Sequence, residues 1–267
     1  TPTENGGKGK VYYPKWKLRS GFKVGAGAFF DHDAWDVALQ YTWFYNKPNK
    51  ASKNKTTWAD PYQGLSTIPS NPTNGASQSQ LKSVQSKWDN QFNRIDAQLA
   101  RAFFAGHYLT FRPFLGILGA WETQWFEGIY FSGGTPFSFK NKQDWWGIGP
   151  YGGGSLSFSL MSDKDMQWSL FSDWGLSLPW AKVETDQRLL NASAEDVEHF
   201  GNTFWDVQPM IEMALGLRFE TFFSTDWSFL LQAAWEEQVY FGHNHMVNFG
   251  QVAASGGKKM SMQGLTV

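Results

Sequence analysis

Hydrophobic and polar residues alternate with a period of two along most of the chain. From Trp35 to Tyr45 the odd positions are Trp35, Val37, Leu39, Tyr41, Trp43 and Tyr45, while Asp36, Ala38, Gln40, Thr42 and Phe44 fill the even ones. Successive side chains of a strand point to opposite faces, so this stretch predicts a β-strand with one apolar and one mostly polar face. Tyr12 to Ala28 likewise sets Trp16, Leu18, Phe22 and Val24 against Lys15, Lys17, Arg19 and Lys23. A strand from near Trp88 sets Ile95, Ala97 and Leu99 against Arg94, Asp96 and Gln98. Leu109 to Trp125 opposes Leu115, Ile117, Trp121 and Trp125 to Arg112, Glu122 and Gln124. Trp146 to Leu160 alternates apolar residues with Gly and Ser, and Trp168 to Trp180 alternates with Ser169 and Asp173. Trp205 to Phe219 opposes Asp206, Glu212, Arg218 and Glu220, and Trp227 to Trp235 opposes Gln232 and Glu236. Met260 to Val267 is a short ninth strand.

The connections alternate in length. Tight turns are expected around Asp31-His32-Asp33, Ala105-Gly106-His107 and Ser162-Asp163-Lys164-Asp165. Between them fall polar or Gly-rich stretches, read as long loops over 46–87, 127–144, 184–203 and 241–258. Short turns on one side and long loops on the other are the pattern of an outer-membrane barrel, periplasmic and extracellular respectively. No apolar run approaches the 18 or so residues that a membrane-spanning helix needs, a test that barrel strands evade.

Composition strengthens this reading. Aromatics make up 18% of the 267 residues, with 15 Trp and 27 Gly, and they collect at strand ends. Trp35, Trp168 and Trp227 lie beside short turns; Trp43, Trp121, Trp125, Trp146, Trp180, Trp205 and Trp235 lie beside long loops. Two such girdles suit rings that place an apolar body in lipid and a polar edge among headgroups. A soluble barrel or sandwich with the apolar face inward is the alternative, but a packed interior has no need for Trp at its margins. With 23 Lys+Arg against 24 Asp+Glu there is no basic excess for nucleic acid, and zero cysteines exclude a disulfide scaffold or thiol chemistry.

The expected fold is therefore all-β: one domain over residues 1–267, a transmembrane antiparallel up-and-down barrel of about ten strands. Nine are legible, and bacterial barrels use an even number, so an upstream strand and the end of the last one are expected to lie outside this chain, together with any signal peptide.

GFKVGAG (Gly21 to Gly27), HDAWDVALQYTWF (His32 to Phe44), LTFRPFLGILGAW (Leu109 to Trp121) and WWGIGPYGGG (Trp145 to Gly154) together resemble the Legionella-type major outer membrane protein family. The resemblance runs in order from about Lys15 to Val267. It implies a pore-forming or surface barrel in the outer membrane of a Gram-negative bacterium. It also implies a strand before the first one read here and a last strand continuing past Val267. No substrate follows from it.

Few residues suggest other chemistry. Gly147-Ile-Gly149-Pro-Tyr-Gly152 matches a dinucleotide fingerprint in letters, but the alternation runs through it where a helix would have to start, so no cofactor is expected. His243-Asn-His245 falls in an expected solvated loop and lacks a nearby carboxylate in sequence, so no metal is expected. No histidine has a recognisable catalytic partner, and an enzyme is not expected. The polar faces are more informative. Lys15, Lys17, Arg19, Lys23, Arg94, Arg112 and Arg218 would share the interior with Asp36, Asp96, Glu122, Glu212, Glu220 and Glu236, in near balance of sign. Such a set can line a small wet channel or pair across a narrow one and close it. The expected function is a passive pore for ions and small polar solutes; the alternative is a mostly closed structural or adhesive barrel whose loops meet host or other surface proteins. Expected partners are the lipid bilayer and, as an option, further copies of the chain.

Overall fold

The computed structural model describes residues 19–30, 35–47, 51–54, 81–132, 135–163, 165–190, 193, 195–222, 228–246 and 258–266. They form one antiparallel sheet of thirteen segments: β1 (Gly21–Phe29), β2 (Trp35–Asn46), β3 (Ala51–Asn54), β4 (Leu81–Arg101), β5 (Phe103–Ala105), β6 (Leu109–Ser132), β7 (Thr135–Ser162), β8 (Met166–Ser177), β9 (Trp180–Leu190), β10 (Asp196–Val207), β11 (Met210–Phe222), β12 (Ser228–Asn244) and β13 (Lys258–Thr266). Two pairs of segments are single strands interrupted by proline. The lower half of β7 pairs with β8 and its upper half with β9, while β8 and β9 pair in turn with β11 and β10. The breaks at Pro179 and Pro209 stand beside Pro150 of β7. The chain hydrogen-bonds across this line through Leu178 N to Pro150 O, Gln208 N to Pro179 O and Phe241 N to Pro209 O, at 3.3, 3.0 and 2.9 Å. Proline has no N–H to give the ladder, so neighbouring strands interrupt it at one level instead of at scattered points.

With β3 and β5 also continuing β2 and β4, nine strands lie side by side in chain order, the connectivity of an up-and-down barrel. Among the described residues β1 pairs only with β2, and β13 only with β12. The sheet curls far enough that Lys23 of β1 reaches Glu236 of β12. Its apolar face is turned outward. Leu115, Ile117, Ile148, Leu176, Met213, Leu215 and Leu231 are 75, 59, 53, 52, 62, 59 and 49% exposed, whereas Arg94, Asp96, Glu122 and Gln124 are 2% or less. A water-soluble sheet would bury those aliphatics; a membrane barrel gives them to lipid. Between Trp168 and Trp180 the band covers twelve residue steps. At about 3.3 Å each and about 45° tilt this rises roughly 28 Å, close to the roughly 25 Å of an outer-membrane apolar band.

The expected loops over 127–144 and 184–203 are corrected: both are strand, broken only by short connections after Ser132 and Leu190. β6 and β7, of 24 and 28 residues, rise well beyond the band as a hairpin wall. Above the row Trp121–Trp146–Lys182–Trp205 the outward positions become Thr123, Asp144, Glu184 and Thr203, then Trp125, Lys142, Asp186 and Gly201. The outward face turns hydrophilic there, so the apolar alternation that marks a lipid-facing strand disappears although the ladder continues. The strand parts of 46–87 and 241–258 end β2 and β12 and begin β4 and β13; residues 55–80 and 247–257 lie outside the described residues. β7 runs straight through Gly147 to Gly152.

Candidate functional site: the enclosed polar face

The polar positions of nearly every strand converge inside the curl. At mid-height the Arg94 guanidinium of β4 binds Glu212 of β11 through two nitrogens, Nη2 donating to Oε1 at 3.3 Å, and binds Asp96 through Nε at 2.9 Å. Tyr151 of β7 donates its hydroxyl to Glu212 and lies under the guanidinium, 5.0 Å from its ring centre. Gln98 caps the remaining oxygen of Asp96 at 3.0 Å. Two carboxylates, one guanidinium and a phenol from three strands thus satisfy one another, as enclosed charges must. Beside them Lys23 binds both oxygens of Glu236 at 2.7 and 2.6 Å, with Gln238 and Thr266 completing that carboxylate.

Toward the short-turn end the spacing loosens. Arg112 of β6 forms a two-point contact with Asp36 of β2, its Nε donating to Oδ2 at 2.9 Å. Ser155 donates to Asp173. Arg218 stacks over Phe171 at 4.6 Å and reaches Gln232 at 3.4 Å, while Glu220 shares this face half-buried.

Toward the long-hairpin end the interior is filled around Glu122. Asn90, Gln124 and His243 all bond its carboxylate, Gln124 from 2.9 Å, and His243 turns its Nδ1 to Gln208 at 3.1 Å. The rings of Trp145 and Tyr240 pack on His243 at 4.7 and 5.5 Å, and Phe92 on Tyr240 at 5.7 Å. The reading of His243 and His245 as part of a solvated loop is therefore corrected: His243 is 0% exposed. The cause is local. Gln238 and Tyr240 face inward at even positions, and Gly242, at φ +67°, inserts a bulge that carries His243 inward at an odd one. The Gly before the histidine was the available signal. His245 packs on Phe204 at 4.8 Å, and burial lowers its pKa below the ordinary histidine value, against the opposing field of Asp206.

The outward aromatics form rows. Trp146 meets Trp205 edge-on at 5.5 Å and Trp180 stacks on Trp205 at 6.2 Å. Trp35, Trp121, Trp125, Trp168 and Trp235 are exposed on the same outer face; Trp43 is half-buried, stacked on Phe22. Arg19 is exposed and donates to the Lys47 carbonyl at 2.8 Å. Lys15, Lys17 and Trp227 lie outside the described residues. Above the rows, the Arg188 guanidinium bonds both oxygens of Asp186 at 2.9 and 3.1 Å, and this holds the Asp186 carboxyl below its usual range; His199 joins from 3.2 Å.

Comparison with known proteins returns one informative result. The family model described as "Legionella pneumophila major outer membrane protein precursor" matches residues 4–267, nearly the whole chain. No curated protein and no solved structure matches it.

Proposed function

Since the chain belongs to the Legionella pneumophila major outer membrane protein family and is a protein of the bacterial outer membrane, we propose that it is a narrow passive pore for ions and small polar solutes. One observation carries this reading: the enclosed face is polar from Asp36 and Arg112 at one end to Glu122 and Gln143 at the other, and part of it has no partner among the described residues. The Tyr240 hydroxyl, the Trp145 indole N–H and the amide oxygens of Asn90, Gln124 and Gln238 are all enclosed without a hydrogen bond from the described residues. An unmatched buried polar atom costs about 1–3 kcal/mol, which water in the interior removes. The described charges of this face are Lys23, Arg94, Arg112 and Arg218 against Asp36, Asp96, Glu122, Asp173, Glu212, Glu220 and Glu236, an acidic excess that favours cations over anions. Catalysis is not part of the proposal: the His243–Glu122 pair is wholly enclosed, and Asp186 beside His199 is already neutralised by Arg188.

A second reading has its own observation. Phe92, Leu118, Trp145, Met210 and Tyr240 are 0–2% exposed, which favours a section closed to water and a barrel that acts through its outer hairpins. Narrow barrels of eight or so strands are filled by their own side chains.

Single-channel recording of the folded full-length protein in planar bilayers separates the two. The pore predicts steady conductance that Arg112→Ala and Glu122→Ala raise or reorder. A silent bilayer, with folding verified by heat-modifiable gel mobility, would refute the pore and leave the closed barrel.

A further inference from the structure

Outside the barrel, on the outward face of the hairpin wall, there is a cavity of about 1060 Å³. It is built by two consecutive rows of the ladder. The first is Asp89, Trp125, Lys142 and Asp186; the second, one outward position higher, is Lys87, Glu127, Lys140 and Arg188. All eight line it, with Tyr45 and Gln91 at the bottom and Asp196 at the rim. The first of these two rows lies two ladder rows above the row of Trp121, Trp146 and Trp205.

That height fixes what the cavity meets. Aromatic rows sit where acyl chains give way to headgroups, and two outward positions along a tilted strand rise about 10 Å. A concave, charged surface facing away from the barrel at this level looks into the headgroup layer, and the long-hairpin side of such barrels is the outer one. Its chemistry is mixed in a particular way. Trp125, 39% exposed, offers a flat face of the kind that stacks on a sugar ring. Lys87, Lys140 and Arg188 stand in one row with only Glu127 among them. Lys87 is turned toward Asp89 at 3.2 Å and Arg188 toward Asp186 at 2.9 Å, while Lys140 takes part in no ion pair among the described residues. Free lipid phosphate has three or more acceptor oxygens for such a row, and Arg matches them in a forked geometry. Asp89 and Asp186 are then placed to accept from sugar hydroxyls.

We infer that this cavity binds the phosphorylated sugar headgroup of an outer-leaflet lipid, ring on Trp125 and phosphate on the Lys87–Lys140–Arg188 row. The inference is independent of whether the interior conducts. The shared chemistry is a sugar phosphate, which a free solute also carries, so the test has to separate the two.

The test uses native mass spectrometry of the folded full-length protein released from micelles. The micelles contain equal amounts of phosphatidylcholine and a diphosphorylated glucosamine disaccharide lipid (lipid A). The expected result is retention of lipid A that falls tenfold or more in Lys140→Glu/Arg188→Glu and in Trp125→Ala, with phosphatidylcholine unchanged. Lys259→Glu, on β13, serves as the charge control and retains lipid A at the unaltered level. Equal retention by all forms would overturn the inference. So would displacement of the lipid by soluble glucosamine 1-phosphate at a matching concentration, which would assign the cavity to a free sugar phosphate. Heat-modifiable mobility verifies folding of each variant, and Lys140→Gln, which changes one charge on an exposed side chain, provides the same reading with the least structural disturbance.

Discussion

Arg94 and Glu212, 118 residues apart, meet across the interior with both partners enclosed and with Tyr151 donating to the same carboxylate. β4 and β11 are not neighbours in the sheet. The pair therefore ties opposite walls of the curl, and it does so with charge where a soluble protein of this size would use an apolar core.

Removing one partner leaves the other enclosed and uncompensated, at a cost of about 3–5 kcal/mol. Arg94→Ala should lower the temperature at which the folded band converts to the unfolded one on unboiled gels. Arg94→Met combined with Glu212→Leu and Asp96→Leu removes all three enclosed charges and should recover most of the loss. A triple variant no more stable than Arg94→Ala would mean that the charged cluster is not what connects the two walls.

Leu115 is 75% exposed near the middle of the outer band. Arginine at a barrel midplane costs about 2–4 kcal/mol, and much less at the interfaces. Leu115→Arg should therefore shift the denaturant midpoint for refolding into lipid vesicles strongly downward, whereas Lys142→Glu, above the Trp rows, should leave it nearly unchanged. Equal effects at both sites would contradict the assigned membrane level.

Gly242 holds a left-handed conformation that a β-branched residue reaches at a cost of about 1–2 kcal/mol. Gly242→Val should undo the bulge and release His243 from Glu122. Hydrogen exchange would show this as lost protection over residues 241–246 with β11 still protected. Unaltered protection would show that the bulge does not depend on glycine.

Burial lowers the His245 pKa, with His243 acting in the same direction and Asp206 against it. The folded state thus favours the neutral ring. Its contribution to stability is present above about pH 6.5, the ordinary histidine value, and is lost as pH falls through the lower folded value. A proton NMR titration of the His245 ring should give a midpoint under 6.5, and melting of the 243–246 segment should become easier on acidification. A midpoint at or above 6.5 would contradict the packing on Phe204.

The sequence alone determined the strands, their two faces and the aromatic rows at strand ends, because the period-two signal is local and lipid imposes it on every crossing. It set Lys23, Arg94, Glu212 and Glu236 on the polar faces of their strands, and the curl turns those faces together. It did not reach the hairpin walls over 127–144 and 184–203. There the outward face carries Lys140, Lys142, Glu184 and Arg188 while the inward face mixes Phe139 and Val183 with Asn141 and Gln187, so neither face is purely apolar and the alternation no longer shows. Nor did it reach His243, since one residue inserted at Gly242 exchanges the two faces of a strand and the period cannot report the exchange. Which charges meet was decided only in three dimensions. Arg94 could have paired with any acid on the polar faces, and the curl that brings β4 opposite β11 selected Glu212.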